Sequence, residues 1–469
     1  MSEMLISADQ ASAPSALKVL AEPDAQAWLA AAPAPLRAQA ELNGFTAKPG
    51  QLFKAAGPEG RLELALFVVS EKDAAAPGWG AQALRALPAL LPAGDYRLDA
   101  SPAPFDPTQV AIAFALGAYR FDRYKAAPLN AARPRLIAPA GCDLEGARAV
   151  AHACALARDM INTPANDLGP RQIETIASEI AEQFAAVLTS VVGEGLLAAG
   201  YPAVHAVGRA AVPERAPRMI ELVWGDPGDP VVVLIGKGVV FDTGGLDIKP
   251  SAGMGLMKKD MGGAAHALAL GRMVMAAGLK VRLVVLLPVA ENAISGDAMR
   301  PGDVIASRKG LSIEVGNTDA EGRLILADAL ARAGELQPAL AIDLATLTGA
   351  ARAALGPQLP PFFTDDEALA KELEVAAEAV GDGLWRLPLW GGYAGAVDSE
   401  IADIKNDPDG WAQAGSITAA LFLQRFAPAC PWLHLDIFAW NPKPRPGWPL
   451  GGEAQAIRAL FHLLKGRYA

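Results

Sequence analysis

Asn317-Thr318-Asp319-Ala320-Glu321-Gly322-Arg323 places two carboxylates and a guanidinium at alternate positions of one short stretch. The run before it, Leu311 to Val315, alternates apolar side chains with Ser312 and Glu314 and reads as a strand. The run after it, Leu324 to Arg332, is amphipathic and reads as a helix. A strand passing into a helix with acids at the junction is how an open α/β sheet presents a ligand site. Two acids so close repel each other unless something positive stands between them. Arg323, a nearby lysine or a metal ion could supply that charge.

Outward from this stretch the texture repeats. Met219 to Val223, Val231 to Ile235, Val281 to Leu287 and Leu340 to Leu344 are further strand-like runs, alternating with Ala/Leu-rich helical segments. That alternation predicts an α/β fold whose C-terminal part is a central, mostly parallel sheet sandwiched by helices. Upstream, Leu17 to about Pro139 alternates apolar runs (Leu62 to Val69, Val110 to Leu116) with helical-looking segments and reads as a smaller α/β domain. Pro128, Pro134 and Pro139 punctuate a linker, a helix follows from about Asp143 to Ile161, and another runs from Pro170 to about Phe184. A chain of 469 residues favours two domains. The expected division is 1–140 for the N-terminal domain, 141–165 for a linker helix and 166–469 for the catalytic domain. Lys405 to Gln413 and Asn441 to Pro449 read as loops, the first a candidate lid.

Composition excludes some functions. With 52% hydrophobic residues the chain can bury large cores, and a net charge of −10 argues against nucleic acid as the main partner. No apolar run reaches membrane-spanning length. The start, Met1-Ser-Glu-Met-Leu5, lacks the basic and apolar parts of a secretion signal. Cys142, Cys154 and Cys430 have no metal spacing and suit a reducing, cytoplasmic location.

The polar residues that follow the strands carry the chemistry. Val231 to Ile235 leads into Gly236-Lys237-Gly238-Val239-Val240-Phe241-Asp242-Thr243-Gly244-Gly245-Leu246-Asp247-Ile248-Lys249. Val281 to Leu287 leads to Glu291-Asn292, and Leu340 to Leu344 leads to Ala345-Thr346-Leu347-Thr348-Gly349. Phosphate binding by the glycine-rich loop is the rival reading, but the Walker pattern is absent and Phe241 stands where a third glycine would be needed. Asp260, in Met257-Lys258-Lys259-Asp260-Met261, could simply cap a helix. Together, however, Asp242, Asp260, Asp319 and Glu321 make a four-carboxylate set. Such a set in one pocket calls for about two divalent cations to neutralise it. The five histidines show no ligand spacing and read as packed or surface residues.

Asn-Thr-Asp-Ala-Glu-Gly-Arg-Leu, Gly-Lys-Gly-x-x-Phe-Asp-x-Gly-Gly, Ile-Lys-Pro-Ser, Lys-x-Asp-Met-x-Gly-Ala-Ala and Ala-Thr-Leu-Thr-Gly-Ala together resemble the leucyl aminopeptidase family, cytosolic aminopeptidases with two metals. The resemblance runs from about Arg158 to the end, including Asn162 to Leu168 and Ser416 to Phe426. It implies a metal-dependent hydrolase releasing N-terminal amino acids from peptides by attack of a metal-bridging water on the first peptide bond. Lys237, Asp242, Asp260, Asp319 and Glu321 fall on the metal-ligand positions, with Asp242 and Glu321 bridging two zinc or manganese ions. Lys249 and Arg323 match the catalytic pair: Lys249 would polarise the scissile carbonyl. Arg323, with Ala320, Gly322 and Leu347, would hold a bicarbonate that shuttles a proton. Met257, Thr346 and Leu347 align with substrate-pocket positions. A cytoplasmic homohexamer acting on peptides with a free N-terminus is implied by the same resemblance. The alternative within the fold is a catalytically minor hexameric scaffold or a DNA-binding moonlighting protein.

Three departures stand out. Asp247 adds a negative charge between Asp242 and Lys249, and Gly316 replaces a usual leucine. Gly451 to Arg458 differs from the family's Gly/Phe-rich counterpart, which leaves the side-chain pocket, and the leucine preference, open.

Overall fold

The computed structural model describes residues 4–126, 132–408 and 413–469. The chain forms two compact units: Met1–Ala155 with Ala376–Asp382 and Lys443–Leu450, and Leu156–Val375 with Gly383–Pro442 and Gly451–Ala469.

In the first unit, strands β1 (Leu5–Ile6), β2 (Ser15–Ala21), β3 (Leu52–Ala56), β4 (Leu62–Val69), β5 (Gly94–Ala100) and β6 (Pro134–Ile137) form a sheet in the order β1-β6-β5-β2-β4-β3. All pairs are parallel except β3 with β4. Phe45, Phe53, Leu66 and Val68 pack together on one of its faces. Two expectations change here. Val110 to Leu116 lies in the helix Pro107–Gly117, where every residue from 110 to 116 is buried, so an unbroken apolar run carried no period to separate helix from strand. Pro134 opens β6 rather than extending a linker, a position where a missing N–H costs little. Pro128 lies outside the described residues.

The second unit is built on β7 (Val187–Val192), β8 (Arg218–Trp224), β9 (Val231–Gly236), β10 (Gly238–Asp242), β11 (Arg282–Asn292), β14 (Leu340–Ala345), β15 (Pro361–Phe363), β16 (Trp385–Arg386) and β18 (Trp432–Asp436). The order is β16-β15-β18-β14-β9-β11-β8-β7, with β10 also pairing with β11. The centre, β18-β14-β9-β11, is parallel, and every residue of β14 is buried, as strands covered on both faces require. β8 and β7 continue it antiparallel, so Met219 to Val223 belongs to the edge arrangement and not to the parallel centre. Helices α1 (Leu144–Asn162), α2 (Pro170–Phe184), α3 (Gly262–Ala276), α4 (Glu321–Glu335), α5 (Gly349–Leu355) and α6 (Gly415–Gln424) punctuate the chain.

The strand before the opening heptapeptide is not part of this sheet. Ser312–Glu314 (β13) pairs antiparallel with Val304–Ala306 (β12) and parallel with Ile404–Lys405 (β17), a separate three-stranded ribbon. The alternation in Leu311 to Val315 does report a half-buried strand, but period alone does not name the partner. Asn441 to Pro449 lies largely in a loop between the short paired strands β19 (Trp440–Asn441) and β20 (Gly451–Gly452). Of the 405–413 loop, residues 409–412 lie outside the described residues.

Candidate active site

Three segments from different parts of the chain meet at the C-terminal ends of the central strands. Lys237 follows β9 directly, tied to β14 by its N–H to Leu344 O at 3.0 Å. Asp242 ends β10. Asp319 lies in the turn before α4, and Glu321 is that helix's first residue. A carboxylate at a helix N-terminus is electrostatically favoured by the backbone dipoles. Asp242, Asp319 and Glu321 each bring an oxygen within 4.8 Å of the others, the carboxylate group among the described residues that could hold a metal.

Lysines neutralise this cluster. Lys237 Nζ lies 2.7 Å from Asp260 Oδ2 and 3.0 Å from Glu321 Oε1, and donates to Thr346 O at 3.1 Å. Lys249 Nζ pairs with Asp242 Oδ2 at 2.8 Å and with Asp319 Oδ1. Burial disfavours the Lys237 ammonium, but Asp260, Glu321 and Asp242 outweigh it and hold its pKa above the ordinary lysine value. Lys249 behaves alike: burial opposes its charge, Asp242 and Asp319 prevail, and the pKa rises. The acids feel the crowding. Burial and then Asp242 push Glu321 up to about 8 and Asp319 up to about 6. Burial also acts against the Asp260 carboxylate, yet Lys237 and Lys259 keep its pKa below the usual range.

Fixed donors aim the carboxylates. Asp242 Oδ1 accepts from Gly244 N at 2.9 Å and from Asn292 Nδ2 at 2.8 Å, leaving Oδ2 toward the cluster. Thr346 Oγ1 donates to Asp260 Oδ1 at 2.8 Å. Asp260 Oδ2, Asp319 Oδ1 and Glu321 Oε1 are buried without a hydrogen bond of normal geometry, although each stands beside a lysine. Oriented outer donors with under-satisfied inner oxygens fit a set of hard-cation ligands, and a neutral Lys237 amine would complete it. Asp260 is not a helix cap. It lies in the 3-10 turn Met257–Met261, and Met261 precedes α3.

Gly322 has a role other than freeing a turn. It is helical, and a Cβ there would come within 2.6 Å of Lys237 Nζ. Arg323 therefore sits inside the first turn of α4, 7% exposed, with Nη1 on Asn406 O at 2.6 Å and no hydrogen bond at Nε. Burial lowers its pKa, opposed by Asp407 and Glu321. Leu347 N–H is engaged by Asp436 Oδ1 at 3.1 Å. Met257, Thr346, Leu347 and Ala320 all line a cleft of about 830 Å³ that also contains Lys237, Asp242, Lys249, Asp260, Asp319 and Arg323.

Several positioning residues escaped the sequence reading. Asn406, fully buried, accepts from Gly316 N (2.8 Å) and Asn317 N (3.2 Å) and donates to Asn317 O (2.7 Å) and Ala320 O (3.2 Å). It clamps the heptapeptide from 83 or more residues away, so its only sequence signal was membership of a polar loop. Asn292 was visible as a strand-end amide but without a partner. Asp247 is settled: it is bound to Thr318 N (2.8 Å) and Oγ1 (3.1 Å), bracing the loop, and is not ion-paired to Lys249. At Gly316 a Cβ would meet the ends of the Asp407 and Lys405 side chains. Two of the histidines are tied into the packing, His434 Nδ1 at 2.6 Å from Asp343 Oδ1 and His266 Nδ1 at 2.6 Å from Gly262 O.

Residues 155–461 match the cytosol aminopeptidase family, catalytic domain, and residues 15–139 match the M17 aminopeptidase N-terminal domain. A probable cytosol aminopeptidase of Syntrophotalea carbinolica is 45% identical over 369 residues, spanning 75% of this chain and 73% of the relative. One of Geobacter sp. (strain M21) is 39% identical over 451 residues, 91% of this chain and 90% of the relative. The crystal structure of cytosol aminopeptidase from Coxiella burnetii superposes with TM-score 0.92 at 40% identity, covering 99% of this chain and 100% of that one. The bottromycin maturation enzyme BotP in complex with Mn gives TM-score 0.84 at 34% identity, covering 97% and 100%. Matched over most of its length in sequence and fold, the chain belongs to the cytosol aminopeptidase family of metal-dependent exopeptidases.

Proposed function

We propose that this enzyme removes N-terminal amino acids from peptides with a free amino terminus, using two divalent cations, zinc or manganese, held by Lys237, Asp242, Asp260, Asp319 and Glu321. The observation that carries this reading is the gathering of Asp242, Asp319 and Glu321 oxygens within 4.8 Å beside Lys237 and Asp260. Asp242, paired with Lys249, and Glu321, paired with Lys237, would be shared between the cations, as the family resemblance implies. Bound there, the cations would supply Lewis acidity toward the scissile carbonyl and lower the pKa of an attacking water.

The chain's own groups do the rest. Lys237 releases its proton before its amine can act as a ligand. Lys249, which pairs with Asp242 and Asp319, would offer an ammonium hydrogen bond to the oxyanion developing on the scissile carbonyl. Arg323, its Nε being without a hydrogen bond, would hold a bicarbonate with Ala320 and Gly322 beside it, a group whose chemistry there would be proton relay. Leu347 would join it only by sharing the N–H that Asp436 now accepts. Met257, Thr346 and Leu347 line the cleft and would contact substrate. The domain division 1–140, 141–165 and 166–469 accommodates α1 within the linker span. A cytoplasmic homohexamer follows from the family resemblance. Among the described residues no helix is long and apolar enough to cross a membrane. A silent scaffold is disfavoured by the full ligand set, and a DNA-binding role by the net charge of −10.

Hydrolysis of leucyl-p-nitroanilide with added manganese or zinc tests the reading. Activity that survives thorough chelation, or that persists in Asp319→Ala, would sink the two-metal mechanism. Mass by light scattering tests the hexamer.

A further inference from the structure

The wall of the cleft beside Asp260 carries a cation that this chemistry does not use. Lys259 is 5% exposed and lines the cleft. Among the described residues its ammonium has no hydrogen bond and no ion pair; its neighbour is the Phe438 ring, 4.9 Å from Nζ to centroid. The carboxylates that act on it from a distance are already engaged. Asp260 is taken by Lys237 and Thr346, and Asp436 by Leu347 N, Thr348 and Ser416. Burying an ammonium without an anion is costly, and contact with a ring repays only part of that cost. A second cation faces the same ring: the Arg352 guanidinium, on α5, lies 5.1 Å from the Phe438 centroid and also lines the cleft.

The ring between them is held in place. Gln455 Oε1 accepts from Phe438 N (3.1 Å) and Ala439 N (2.8 Å), while its Nε2 donates to Pro357 O at 2.8 Å. Gln455 belongs to the C-terminal segment Gly451 to Arg458. The wall's place along the substrate follows from the proposed function, on which this inference rests. A substrate's free amino group goes to the acidic cluster, and the side chain on the adjoining Cα then falls within reach of the residue next to Asp260.

We propose that Lys259, assisted by Arg352 across the Phe438 ring, receives the side-chain carboxylate of an acidic N-terminal residue, making this an aminopeptidase selective for aspartyl or glutamyl peptides. The aliphatic part of such a side chain lies along Met257 and Phe438, and its carboxylate supplies the anion that Lys259 lacks.

The test compares tripeptides X-Ala-Ala in the pairs Asp/Asn and Glu/Gln, with Leu as reference, on the manganese-loaded full-length enzyme. A charge-assisted contact in a sheltered cleft predicts that kcat/KM for one acid exceeds that for its amide by at least about tenfold, carried mainly by KM. Lys259→Met brings that ratio near one, and Lys259→Arg keeps it well above one. Because each ratio is internal to one protein sample, loss of folded material does not imitate the effect. An acid/amide ratio at or below one in the wild type, with the leucyl peptide cleaved, overturns this inference alone. A ratio unchanged by Lys259→Met does the same. No cleavage of any of the five peptides overturns the aminopeptidase reading and this inference with it.

Discussion

Gly322→Ala separates position from stability in a way few substitutions here can. In an unconstrained helix, alanine gains up to about 1 kcal/mol over glycine. At this position the new Cβ would stand 2.6 Å from Lys237 Nζ and 2.7 Å from Lys237 Cδ. That is about 1 Å inside the roughly 3.5–4.0 Å of an ordinary contact. Helix α4 is buried along its first turns, so the lysine must give way. Its amine, now 2.7 Å from Asp260 Oδ2 and 3.1 Å from Thr346 O, would shift by about that ångström. A 1 Å misplacement near a reacting centre costs on the order of 100-fold in rate. Local overpacking of about 1–3 kcal/mol is offset in part by the helix gain, so global stability falls little. The expected outcome is a loss of about 100-fold in kcat/KM for leucyl-p-nitroanilide. Weaker manganese binding by calorimetry would accompany it, with a melting temperature within a few degrees of wild type. A variant that keeps wild-type kcat/KM and metal affinity would refute the claim that Lys237 is a ligand whose position matters.

Other expectations follow from the same geometry. Asn292→Ala frees Asp242 Oδ1 from its 2.8 Å donor and is expected to weaken metal binding by about 10- to 100-fold while leaving the fold intact, as read by metal titration and circular dichroism. Metal uptake should strengthen with rising pH, because Lys237 is held protonated and Glu321 is pushed up to about 8, so protons compete with the cations; titration at pH 6.5 and 8.5 that found equal affinity would contradict this. His434 is fully buried. Burial opposes its charged form, but Asp343 prevails and raises its pKa above 6.5. A raised folded-state pKa contributes stability that is fully present below 6.5 and is lost as pH rises through the folded value. Urea unfolding should therefore show declining stability on the alkaline side, and His434→Phe should flatten that decline.

What could be read in the residues, and what could not, divides along local and non-local physics. Chemistry local to a short stretch was legible. The acids and lysines of Lys237 to Lys249 and Asn317 to Arg323 belong together because a carboxylate excess needs compensating cations wherever the chain folds. The parallel centre of the sheet was legible because Val231 to Ile235 is apolar on both alternate sets of positions and Leu340 to Leu344 breaks that pattern only at Asp343, the mark of strands covered on two faces. Pairing partners were not legible. Leu311 to Val315 has the period of a strand, yet it joins a small ribbon with residues 304–306 and 404–405, since period states which face is buried and not against what. Val110 to Leu116 lacked any period, and only the packing of a fully buried helix decided it.

Most of the acids and lysines of the candidate site were thus written in the chain itself, as the charge pattern of two loops. Tertiary structure alone decided that Asn406 and Asn292 hold those loops, that Gly322 clears a path for Lys237, and that Lys259, among the described residues, is left without an anion beside Phe438. Each of these depends on atoms far apart in sequence brought within 3 to 5 Å, a distance that side-chain identity cannot encode by itself.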